Sequence, residues 1–128
     1  MFLAALFQAS AALADCAPNA TPAQIEASRA KTLKDPNVSG TTTEENYLKI
    51  TIKKPEGIVL SYFTLPAHPA HPANVLTAIY EAEGRVRLHS RGFTAGDCKV
   101  FEQWMKSFEK QHERVRQTFR HSGSPAVR

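Results

Sequence analysis

The sequence predicts an α+β fold: a four-stranded antiparallel sheet, a short N-terminal helix and a long C-terminal amphipathic helix, with both helices packed on one face. Three observations predict it. Residues 47–53, "YLKITIK", alternate strictly between two faces, which is the period of a half-buried strand. Three more apolar runs follow, separated by proline, glycine and acidic residues of the kind that turn a chain. Residues 94–119 then carry Phe101, Trp104, Met105, Phe108, His112, Val115 and Phe119 at helical steps.

The chain opens on "MFLAALFQASAALA", which is uncharged and rich in Leu, Phe and Ala. It ends in Ala12-Leu13-Ala14, with small residues where a signal peptidase reads them. Fourteen such residues are too few to cross a bilayer as a helix. Residues 1–14 are therefore expected to be a cleaved export signal, leaving a mature protein without a transmembrane span in the periplasm or outside the cell. A basic segment before the apolar one is missing. "LADC" also suggests a lipoprotein signal ending at Cys16, but Asp15 stands where a small neutral residue belongs. Export fits the two cysteines, Cys16 and Cys98. An even pair in an oxidising compartment predicts a disulfide, and one closing so long a loop contributes roughly 4 kcal/mol in the chain-entropy model.

A single domain is expected over 15–120, with a flexible tail at 121–128. "TPAQIEASRAKTLK", residues 21–34, starts as a helix: Thr21 as N-cap, Pro22 at the first helical position, Gln24 closing a capping box. Asp35-Pro36 stops it. Its apolar face is thin, with Ile25, Ala30 and Leu33. Residues 37–46, "NVSGTTTEEN", are polar and predict a loop. The first strand, 47–53, sets Leu48, Ile50 and Ile52 on one face. After "KPEG" the second, "IVLSYFTL", is apolar on both faces. "VLTAIYEA" is the third, and Glu83-Gly84 turns the chain into the fourth, "RVRLHSRGF". Val86, Leu88 and Ser90 lie on one side of that strand, and Arg85, Arg87, His89 and Arg91 on the other. Thr94 is expected to cap the final helix, with Asp97 three residues on, and a Cys16–Cys98 bond would pin the two helix N-termini together.

Between the second and third strands lies "PAHPAHPAN", residues 66–74. His68 and His71 each precede a proline, which pushes both toward extended backbone. A period of three matches the polyproline II helix. The expectation is a stiff rod with both imidazoles on one edge, roughly 9 Å apart. Two nitrogens on one zinc must lie far closer than that. The stretch therefore reads first as a connector. Docking into an aromatic groove is a weaker alternative, as is a zinc or copper site built from His68, His71 and His89, or a pH response of those histidines.

The formal net charge is +4 over 128 residues, too weak on its own to imply nucleic acid. No nucleophile elbow, phosphate loop or zinc-protease helix motif is present, so a binding protein is favoured over an enzyme. "GFTAGD" lacks the lysine of a phosphate loop and reads as a helix start. The best surface signal is the row Arg85, Arg87, His89 and Arg91. Alternate cations on one strand face are either a solvated, edge-protecting face or a landing strip for an anionic protein, glycan or lipid head group. Aromatics do not interleave with the arginines, which argues against nucleic acid.

Overall fold

The structure, a computed structural model, describes residues 16–122, with side chains through Thr118. The expected export signal at 1–14, the last residues of the tail and the side chain of Phe119 lie outside the described residues. Two helices and five strands follow in order: α1 (Pro22–Leu33), β1 (Val38–Thr43), β2 (Tyr47–Lys54), β3 (Gly57–Thr64), β4 (Ala73–Ala82), β5 (Arg85–Thr94) and α2 (Cys98–Ser122). The α+β architecture is as the sequence predicts. The antiparallel sheet has five strands rather than four, in the order β1-β2-β3-β4-β5, so each strand pairs with its neighbour in sequence.

The additional strand is β1, in the segment expected to be a loop. Its residues are exposed beyond Val38, so no apolar alternation marks it. What holds it is pairing with β2 and a run of Thr, whose branched Cβ suits extended backbone. The register shifts between Val38 and Gly40, a bulge of the kind common on edge strands.

The helices cover opposite faces of the sheet, which corrects the single-face expectation. The pairs Leu48–Phe63, Ile50–Ser61 and Ile52–Val59 of β2 and β3 share one face. There Ile25 of α1 packs with Ile50, Ile52 and Phe63. The intervening residues Tyr47, Leu60 and Tyr62 point to the other face, where Phe101, Trp104, Met105 and Phe108 of α2 meet Tyr62 and Val75. A central strand buried on both sides is apolar throughout, and β3 has that pattern. Burial pushes the Tyr62 phenol up to about 12, with Tyr47 adding to the effect. Gly92 of β5 lets α2 come close, because a Cβ there would run into the Phe101 ring and the Met105 sulfur.

Local signals set the element ends. Thr21 accepts from the Gln24 amide, and the Gln24 side chain accepts from the Thr21 amide, so the capping box is formed. Asp97, not Thr94, caps α2: its Oδ1 accepts from the Lys99 and Val100 amides at 2.9 and 3.1 Å. Thr94 is instead the last residue of β5, and α2 runs through His121 and Ser122, which were expected in the tail. Glu83 and Gly84, at φ 55° and 75°, make the two-residue turn between β4 and β5 that matches the twist of paired strands. Cys16 and Cys98 are joined, with Cα atoms 5.4 Å apart.

Candidate functional site

β5 places its two sets of side chains on different faces by simple alternation. Val86, Leu88, Ser90 and Gly92 face α2. Arg85, Arg87, His89 and Arg91 face the side that carries α1, and all four are exposed. Twelve residues make α1 about 18 Å long; its Ile25 packs on Ile50, Ile52 and Phe63 of β2 and β3, and Gln24 and Ser28 border a cleft with Asn74 of β4 and Phe93 of β5. The row stays exposed on the side of the sheet that carries α1. Beside it runs the matching row of β4: Leu76 opposite Arg91, Ala78 opposite His89 and Tyr80 opposite Arg87. Tyr80 is 40% exposed. The face is thus a strip of partly exposed apolar side chains flanked by three arginines and a histidine.

The cations are only lightly engaged. Arg87 reaches Glu83 at 3.1 Å, with both side chains in solvent, where such a pair adds little. The Arg91 guanidinium stands 5.6 Å from the centre of the Phe93 ring, within cation–π range. Arg85 has no acidic partner among the described residues. Phe93 also lines a cleft of about 300 Å³ between α1 and the sheet, with Asn19, Gln24, Ser28 and Asn74 on its walls. The row thus ends beside a partly polar recess.

The strap between β3 and β4 is not a polyproline rod, and its histidines do not share an edge. The His68 amide donates to Leu65 O at 2.8 Å, and the His71 amide to His68 O at 3.0 Å. These close two successive β-turns, each with proline at the second position, where its fixed φ suits the turn. A three-residue period fits chained turns as well as it fits polyproline, and the hydrogen bonds decide between them. The His71–Pro72 bond is cis. His68 is buried with its ring centroid 4.5 Å from that of Trp104, and its Nδ1 accepts from the Ala70 amide. His71 lies on the α1 side, where its Nδ1 is 2.8 Å from Thr64 Oγ1. The strap thus sends one imidazole to each helix. His89 is five residues up β5 from Thr94, about 17 Å along the strand. Among the described residues, no group of three or more His, Cys, Asp or Glu is placed to hold a metal ion.

One polar cluster has little sequence signal. Thr77 Oγ1 and Ser90 Oγ are 2.8 Å apart, and Ser90 Oγ is 3.0 Å from His112 Nε2. Ser90 and His112 both occupy positions on apolar faces, and two polar residues on facing apolar stripes were the available clue. A serine beside an imidazole resembles an activated nucleophile. Here, however, the pair lies between the sheet and α2, with His112 only 8% exposed, so it fastens the helix to β5.

No family model matches the chain, and no curated protein or solved structure matches it. Among the described residues, no helix is long and apolar enough to cross a membrane.

Proposed function

We propose that the protein is a small exported binding protein, periplasmic or secreted, that holds an anionic partner on the exposed face of β5. The observation that carries this is the row Arg85, Arg87, His89 and Arg91, exposed on one face of β5 beside Leu76, Ala78 and Tyr80. Charges in this setting attract an oppositely charged surface and set its orientation, while the apolar strip contributes burial. The disulfide supports an oxidising compartment, and the uncharged apolar N-terminal segment supports export. A binding role is favoured over catalysis because the described Ser–His pair lies under a helix.

The test uses three immobilised anionic probes: polyglutamate, heparin, and vesicles containing phosphatidylglycerol. At low salt the protein is expected to bind at least one, and to release as ionic strength rises. The triple variant R85E/R87E/R91E should release at clearly lower salt while keeping its melting temperature, because the row is exposed. Failure to bind any probe, or binding indifferent to the variant, would overturn this reading.

A further inference from the structure

β5 is an edge strand, and its main chain is only partly occupied. The Thr94 amide donates to the Asn19 side-chain oxygen at 2.8 Å, Thr94 O accepts from the Asn19 amide at 3.0 Å, and Gly92 O accepts from the Asn19 side-chain amide at 3.0 Å. Asn19 thus closes the far end of the edge as a short strand would. Gly92 and Thr94 therefore turn their main-chain groups away from β4. In an antiparallel ladder that orientation recurs at every second residue, so Val86, Leu88 and Ser90 also present theirs outward. The Glu83-Gly84 turn agrees, since a two-residue loop closes on the bonded pair Ala82–Arg85. No described strand lies beyond them.

We propose that this edge takes an extended acidic peptide as a sixth strand, a deepening that rests on the anionic-partner reading above. Three features of β5 select that partner. First, Arg85, Arg87, His89 and Arg91 recur every two residues, about 6.8 Å apart, which is in step with alternate side chains of another strand. Second, the same stretch carries Val86 and Leu88, half-buried, on the opposite face. A partner strand therefore meets cations on one side and apolar groups on the other. Its matching pattern is Asp or Glu alternating with Val, Ile or Leu. Third, a second copy of this chain is disfavoured, because antiparallel pairing of two β5 edges sets Arg85, Arg87, His89 and Arg91 against the same four residues. Main-chain hydrogen bonds hold such a strand, and the alternating side chains choose it.

The experiment uses the full chain and a fluorescent Glu-Val-Glu-Val-Glu-Val-Glu peptide, followed by anisotropy at low salt. A second peptide of the same sequence carries N-methyl groups on alternate residues, which keeps the charge and removes main-chain donors. The expected result is at least tenfold weaker binding of the methylated peptide. The Val86, Leu88 and Ser90 amides should gain protection from hydrogen exchange when the unmodified peptide binds. The variant R87E/R91E should weaken the unmodified peptide, with an unchanged melting temperature showing that it is folded. Equal binding of both peptides, or binding of heparin or vesicles with no binding of the peptide, overturns strand addition and leaves the anionic reading standing. Binding of neither peptide and none of the other anionic probes removes both.

Discussion

His68, against Trp104, and His112, against Ser90, are both buried where α2 meets the rest of the chain. Burial holds both below the ordinary imidazole pKa. His71 adds to the effect at His68. At His112, Arg116 and His89 lower it further, while Glu109 opposes them. The sign follows from proton uptake: the unfolded chain takes up protons near pH 6.5 and the folded chain resists until lower pH. Their contribution to stability is complete above about pH 6.5 and is lost as pH falls through the depressed folded values. Urea unfolding between pH 8 and pH 5 should show stability falling over that acid limb. His112→Gln keeps a partner for Ser90 and should flatten the limb; an unchanged slope would mean that His112 does not contribute to it. Gly92 gives a second residue-scale expectation. Gly92→Val forces a branched side chain against Phe101 and Met105 and should cost about 1–3 kcal/mol. Gly40 on β1 has nothing within 4 Å of an added Cβ. Gly40→Val should therefore stay within about 0.5 kcal/mol of the parent. Denaturant midpoints of the two variants, measured side by side, check the contrast.

At the level of elements, α2 is the principal packing unit on its face. Phe108 is buried against the edge of the Tyr62 ring, with centroids 4.8 Å apart. Phe108→Ala should cost about 3–5 kcal/mol, and a loss below about 1 kcal/mol in urea unfolding would contradict the burial described. The helical spacing of Phe101, Trp104, Met105 and Phe108 made this element legible from sequence alone, as did the capping box of α1. β2 was legible through its alternation. β1 was not, because an exposed edge strand buries no apolar set and leaves no period to read. The side on which each helix lies was half-visible: β3 is apolar on both faces, which calls for cover on both. The strap misled because proline restricts backbone angles without specifying whether the chain turns between prolines. The hydrogen bonds from the His68 and His71 amides decide that, and they depend on where β3 ends and β4 begins. The cation row of β5 was legible in residue and face. That it stays exposed on the side that carries α1 depends on helix placement and was not.

For the whole molecule, the Cys16–Cys98 bond spans 82 residues and ties the segment before α1 to the start of α2. Replacing both cysteines by serine should cost about 4 kcal/mol in the loop-entropy model, measurable as a lowered denaturant midpoint. Intact mass with and without reductant after alkylation reports the bond directly, and two free thiols in protein from its native compartment would contradict it. The sheet itself needs no distant partner. Every strand bonds to the one before it, so each hairpin can close as soon as its second strand exists. Chains dominated by such near-neighbour pairings cross their folding barrier quickly. The contacts of Asn19 with Gly92 and Thr94 join residues more than seventy positions apart in sequence, which the Cys16–Cys98 bond holds near one another. They clasp the outer main chain of β5, so they are complete only once that strand is extended. Asn19→Ala should therefore speed unfolding and leave the refolding rate nearly unchanged, so the clasp on the last strand governs how long the assembled molecule endures rather than how fast it is made.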